Sequence, residues 1–227
     1  MALTPLTEAD IIELIYSDYE NDNETWDATS AEYYTARNFC KAAIIRWEYL
    51  EGTEWPELFT KSADATDGTL TITSGTYAYT CPTNMRRPPK PHEDYVRIGG
   101  DIYIVVPSSK VGQLDDSSYR FCYFTGNPKL GYTLNINPNL TLTTGQTITF
   151  EYYRNATYFT AATSTTEISN PMFIVHYALN RLYKNDGLLN EAREELQIAE
   201  NLLQEMRSEV QVIDVDLLSG DTAGWGV

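Results

Sequence analysis

Residues 170–210 read NPMFIVHYALNRLYKNDGLLNEAREELQIAENLLQEMRSEV, and the rest of the chain is organised around them. Pro171 stands at a first helical position, where no N–H is needed. Met172, Val175, Leu179 and Leu182 then fall on one face, and Asp186-Gly187 stops the run. Beyond the stop, Leu189, Ala192, Leu196, Ala199, Leu203, Met206 and Val210 alternate in steps of three and four. Such a heptad seam predicts a long helix packed along one stripe. The connection is short, so the two helices are expected to pair as an antiparallel hairpin.

Two more helices are predicted toward the N-terminus. Thr7 precedes Glu8-Ala9-Asp10 and then Ile11, Ile12, Leu14 and Ile15, an N-cap followed by acids and an apolar face. The first helix is expected over about residues 8–18. Thr29 and Glu32 resemble a capping box, and Tyr33, Ala36, Cys40, Ile44, Trp47 and Leu50 carry helical spacing as far as Gly52. The second is expected over residues 30–51.

Residues 66–165 have a different texture. Gly68–Thr73 and Gly75–Thr80 alternate with period two, and further strand candidates lie at Asp101–Val106, Tyr119–Phe124, Tyr132–Ile136 and Thr147–Tyr153. Gly126-Asn127-Pro128 and Asn137-Pro138-Asn139 have turn chemistry, and Gly99-Gly100 marks a hairpin turn. Met85–Pro91 (MRRPPKP) is expected to be an extended, exposed basic loop, because proline removes ladder donors from a central strand. The expected class is α+β. Helices from 1–65 and 166–210 would form a four-helix bundle, 66–165 an inserted antiparallel β domain, and 211–227 an extended C-terminal tail.

The charge is unevenly placed. The chain has 227 residues and a formal net charge of −16. Residues 1–32 hold nine acids and no base, residues 188–227 nine acids and two bases, and the middle is balanced. An acidic surface repels phosphate and disfavours tight nucleic-acid binding. No apolar run reaches the ~18 residues of a membrane span. Met1–Leu6 lack the pattern of a secretory signal. Cys40, Cys81 and Cys122 are odd in number and form no CxxC, so neither a disulfide framework nor a zinc site is expected, and a reducing cytosol fits them.

Motifs for catalysis are missing. There is no G-x-S-x-G, P-loop or G-x-G-x-x-G. His92-Glu93-Asp94 lacks the spacing of a helical metal motif, and His176 reads as a structural helix residue. Glu151 and Asp101 cannot be nominated as an acid–base pair without geometry. No catalytic, cofactor or metal residue is expected. Tyr77, Tyr79, Tyr103, Tyr119, Tyr123, Tyr132, Tyr152 and Tyr153 concentrate in the β region, where they read equally well as packing and as an interface.

Trp47-Glu-Tyr-Leu-Glu51, Tyr123-Phe-Thr-Gly-Asn-Pro128 with its continuation from Leu140 to Tyr153, and Asn170-Pro-Met-Phe-Ile-Val-His-Tyr177 carry a family resemblance. In their order and texture they resemble the head–tail adaptor (connector, head-completion) proteins of tailed bacteriophages. The resemblance implies a structural virion protein made in the host cytoplasm and placed in the neck. There it would form a homo-oligomeric ring of twelve copies between portal and tail, extending a channel through which DNA passes without specific binding. It implies portal protein and tail or tail-hub proteins as partners, no membrane and no cofactor. Leu217, Leu218, Gly220, Gly224, Trp225 and Gly226 would dock into the portal, folding on binding. Arg86, Arg87 and Lys90 would meet the tail. The alternative is a β-rich carbohydrate- or receptor-binding virion module, and a hydrolase built on a carboxylate pair ranks below both.

Overall fold

The computed structural model describes residues 5–20, 25–65, 69–114 and 119–219, with side chains described as far as 210. Among the described residues there are four α-helices: α1 (Glu8–Glu20), α2 (Ala31–Glu48), α3 (Met172–Asn185) and α4 (Leu189–Ser219). Between α2 and α3 the described residues form ten strands. They are β1 (Phe59–Lys61), β2 (Leu70–Thr71), β3 (Ala78–Thr80), β4 (Met85–Arg87), β5 (Tyr95–Ile98), β6 (Asp101–Val105), β7 (Phe121–Asn127), β8 (Gly131–Ile136), β9 (Thr147–Thr149) and β10 (Glu151–Arg154). The chain divides into a helical unit, Met1–Glu57 with Ala156–Val227, and a β unit, Leu58–Asn155.

In the helical unit the start of α1 is built as its sequence suggests. The Asp10 amide donates to the Thr7 hydroxyl at 3.2 Å, and the Thr7 amide donates to the Asp10 carboxylate at 2.8 Å. The Glu8 and Ala9 amides, orphaned at the helix N-terminus, donate to the carbonyls of Ser164 and Ala162. Residues 156–168 therefore complete the helical unit, with Phe159 and Ile168 buried. The β unit accordingly ends at Asn155, short of 165, and it starts at Leu58 because β1 belongs to it. For α2 the cap is Ser30, whose hydroxyl accepts from the Tyr33 amide at 3.1 Å. Thr29, the expected cap, is turned to the Asp27 carboxylate.

The expected four-helix bundle is not formed; the helices are separated rather than bundled. The packing is centred on α3, which meets α1, α2 and α4 in turn, while α4 lies principally along α3. The cause is where the apolar surface lies. Phe173, Ile174, Val175, Tyr177, Ala178, Leu179 and Leu182 are all buried, so α3 is apolar around most of its circumference and takes the centre. In a four-helix bundle each helix turns its stripe toward one shared central core, whereas here a helix occupies the centre. On α4 the buried side is a single stripe, Ala192, Ala199, Leu203 and Met206. The expected seam is corrected at two positions: Leu189 is 62% exposed and Leu196 38%. A straight helix drifts about 20° per heptad from a strict seven-residue repeat, so a straight partner does not follow the whole seam. The backbone of α4 also continues through 211–219, where an extended tail was expected. Side chains there, and residues 220–227, lie outside the description.

The β unit is not purely antiparallel. A seven-stranded sheet, ordered β2-β9-β5-β6-β7-β8-β3, curls into a nearly closed barrel, and a separate three-stranded sheet is ordered β1-β10-β4. The pair β6–β7 is parallel, so a crossover rather than a hairpin joins them. Val96, Ile98, Val105, Cys122, Leu134 and Ile148 fill the interior. The unpaired edges β2 and β3 are tied by the Tyr79 hydroxyl, which bonds the Thr73 amide at 3.2 Å and the Thr76 carbonyl at 2.8 Å. The turn at Gly99-Gly100 forms as expected, with positive φ at both residues. At Gly126 a Cβ would come within 2.2 Å of the Gly131 carbonyl oxygen, so only glycine lets the two backbones of that hairpin meet.

Candidate functional site

The β unit has a cleft of about 260 Å³. Lys61 and Glu151 come from paired positions of β1 and β10, Tyr95 and Arg97 from β5, and Thr149 from β9. Period-two alternation builds the outer wall. Val96, Ile98, Tyr103 and Val105 point into the barrel, which turns Tyr95, Arg97, Ile102 and Ile104 outward. Tyr95 faces Ile104 and Arg97 faces Ile102 across the hairpin, so the four side chains form one patch. The Arg97 guanidinium lies 4.9 Å from the centre of the Tyr95 ring.

Three nearby carboxylates already have partners. Asp94 accepts from the Lys90 amide at 2.6 Å, Asp101 pairs with Arg120 at 3.0 Å, and Glu151 lies 3.9 Å from Lys61. Asp101 and Glu151 are thus on different strands, each facing its own cation.

The basic segment expected to be a loop is partly strand. Met85–Arg87 pairs with β10 at the edge of the small sheet, where the following prolines do no harm. Arg87 is half-buried over the Tyr153 ring at 4.8 Å, and Arg86 presents its carbonyl to the Tyr132 hydroxyl at 3.0 Å. Lys90 is exposed and lies 3.6 Å from Glu93. The three residues named for tail contact therefore do not form one uniform basic surface. Of the residues named for portal contact, Leu217 and Leu218 fall on the backbone of α4, and their side chains lie outside the description. So do Gly220, Gly224, Trp225 and Gly226 altogether.

The helical unit holds buried charge. Glu8 is fully buried, with its carboxylate 2.6 Å from the Arg37 guanidinium. Burial works against the Arg37 charge, but the Glu8 hydrogen bond and charge outweigh it and tighten its proton. The Tyr33 hydroxyl is pushed up by burial and then by Glu8. Glu48, also buried, accepts from the Tyr158 hydroxyl at 2.5 Å. His176 binds Glu195 through Nδ1 at 2.6 Å and so joins α3 to α4. A second cleft, about 320 Å³, is lined by Arg46, Arg181 and Lys184. Two of these bases are engaged, Arg46 with Glu200 and Arg181 with the Tyr177 hydroxyl.

The chemistry of the cysteines is quiet. All three are buried and free. Burial pushes Cys81 and Cys122 up to about 12 and Cys40 higher still, which keeps each a protonated thiol and a poor nucleophile. Among the described residues no group of three His, Cys, Asp or Glu could hold a metal, and no helix is long and apolar enough to cross a membrane. Of the eight tyrosines named in the β region, Tyr79, Tyr103 and Tyr152 are buried, Tyr77, Tyr123, Tyr132 and Tyr153 are half-buried, and Tyr119 is exposed. The exposed aromatic of the cleft is Tyr95, which the sequence reading passed over. The signal was there, since YVRIGGDIYIV (95–105) alternates on both sides of a glycine pair.

The chain matches no protein-family model and no curated protein.

Proposed function

We propose that this protein is a structural, non-catalytic component of a bacteriophage neck, forming a ring between portal and tail that extends the DNA channel. One observation carries the reading: the charge is segregated by structural unit. The helical unit holds twenty-four acidic residues against seven basic, the β unit eight against nine. Duplex DNA carries about one negative charge per 1.7 Å of its axis, so a channel wall that bound phosphate would hold its cargo. An acidic wall repels the duplex and lets it slide, and the near-neutral β unit is free of that repulsion when it meets other proteins. In this reading Leu217, Leu218 and the residues beyond Ser219 seat the ring on the portal, and Arg86, Arg87 and Lys90 belong to the tail side.

The test is native mass spectrometry of the full chain, alone and with the portal protein encoded beside it. A complex matching the portal's copy number is expected, and deletion of 220–227 should abolish it while leaving the fold intact. A chain that stays monomeric in both conditions would remove the ring reading. The Tyr95–Arg97 cleft favours a second reading, a receptor- or carbohydrate-binding virion module, for which saturable glycan binding by the monomer is the expected result.

A further inference from the structure

Resting on the ring reading, we propose that the outer face of the β5–β6 hairpin is a docking surface for a second copy of this chain, and that it receives the acidic flank of that copy's α4. The hairpin face is apolar where an isolated sheet would be polar. Tyr95, Ile102 and Ile104 are each about half exposed and adjoin one another across the two strands. A contiguous exposed apolar patch beside a cleft marks an interaction site. At one corner of the patch the Arg97 charge faces the Tyr95 ring, and the nearby carboxylates of Asp94, Asp101 and Glu151 are occupied elsewhere. Among the described residues Arg97 has no carboxylate partner. The face therefore suits an occupant that is apolar in the middle and acidic around it.

The same chain carries such an element. Glu191, Ile198, Leu202 and Glu205 recur on α4 in steps of seven, four and three, beside the buried stripe of Ala192, Ala199, Leu203 and Met206. Ile198 is 40% exposed and Leu202 half-buried, while Glu191 and Glu205 are exposed. This flank is open because α4 packs principally on α3. The charge difference between the two units favours the same match, for two helical units would repel each other. Pairing two hairpin faces would set Arg97 against Arg97. Joining a hairpin face to an α4 flank is heterologous, leaving each copy one free face of each kind, and such a contact builds a ring where its rotation closes.

The experiment compares the full-length wild type with two charge-reversed proteins. One carries Arg97→Glu and Lys61→Glu, the other Glu191→Lys and Glu205→Lys. Assembly is followed by native mass spectrometry and sedimentation, with or without portal protein, in whichever condition the wild type assembles. Each reversed protein is expected to weaken assembly by about tenfold or more. An equimolar mixture should restore it, because reversed and normal faces can then alternate around the ring. Ile104→Asp, at a half-exposed position, should weaken assembly without charge reversal at either face. If both reversed proteins and Ile104→Asp assemble like wild type, the docking surface is wrong while the ring reading stands. A mixture that fails to recover would overturn the pairing of these two faces. A wild type that never assembles overturns the ring reading and this inference together.

Discussion

Among the described residues, the helical unit buries whole carboxylates and the β unit buries none. Glu8 and Glu48 are fully buried among the helices, whereas the buried polar side chains described in the β unit are Ser62 and Asn137, both neutral. Both of these are well supplied with partners. Ser62 accepts from the Phe150 amide at 3.0 Å, and Asn137 donates to the Tyr119 carbonyl at 2.8 Å while accepting from the Asn139 amide. The contrast shows two ways of specifying a fold. The barrel is pinned by strand register, by inward alternation and by glycines where backbones touch. The helices slide more easily along their apolar faces, and the Glu8–Arg37 pair supplies a fixed contact between α1 and α2. Breaking such a pair costs far more than the intact pair contributes, since one charge is left buried alone.

Probes can be assigned to each unit. Trp26, Trp47, Trp55 and Trp225 all belong to the helical unit, so tryptophan fluorescence follows it alone. Cys81 and Cys122 follow the β unit, because buried thiols react with alkylating reagents only after opening.

The largest expected effect is at Arg37. Arg37→Ala should destabilise the helical unit by about 3–5 kcal/mol, read as an earlier fluorescence transition in urea. Glu8→Ala should cost less, because the stranded guanidinium is partly exposed and can hydrate. Equal costs for the two would break the contrast, since the penalty would then not come from a buried lone charge. Next is Gly126→Ala. Its positive φ and the 2.2 Å approach to the Gly131 carbonyl predict a loss of about 1–3 kcal/mol, read by alkylation of Cys81 and Cys122. Tryptophan fluorescence that shifted as much as the thiol labelling would show the units to be coupled.

A smaller loss, about 1 kcal/mol, is expected for Thr7→Ala at the start of α1. It has a pH signature. The Thr7 hydroxyl and then its amide hold the Asp10 carboxyl below its ordinary value of 3.8. That contribution is present above 3.8 and is lost as pH falls through the depressed folded value. Asp10→Asn should therefore flatten the acid limb of the fluorescence-detected stability curve, and an unchanged limb would remove Asp10 as its source. On the alkaline side the order reverses: the raised thiols of Cys81 and Cys122 contribute stability below 9.0 that is lost progressively toward 12. The smallest effect is at Arg46. Its ion pair with Glu200 is 3.3 Å long and largely exposed, so Arg46→Ala should change stability by less than about 1 kcal/mol.

Local chemistry was legible wherever a few consecutive residues decide it. The Thr7–Asp10 helix start, the stop at Asp186-Gly187, the Gly99-Gly100 turn and the existence of four helices follow from spacing and backbone preference. So did the uneven charge, which the amino-acid order alone sets. What sequence could not settle is which apolar face meets which. The periodicity of 189–210 states that α4 has a seam, but not that a single partner covers it, so Leu189 and Leu196 are exposed and no bundle closes. Likewise, alternation marks the strands without saying that β6 and β7 run parallel. Nor does it say that Lys61 arrives from a distant strand to stand beside Arg97, or that 156–168 returns to cover the start of α1. Secondary structure is written in contacts a few residues long, whereas the pairing of elements depends on the summed burial of surfaces far apart in the chain. Only the tertiary structure decides that sum.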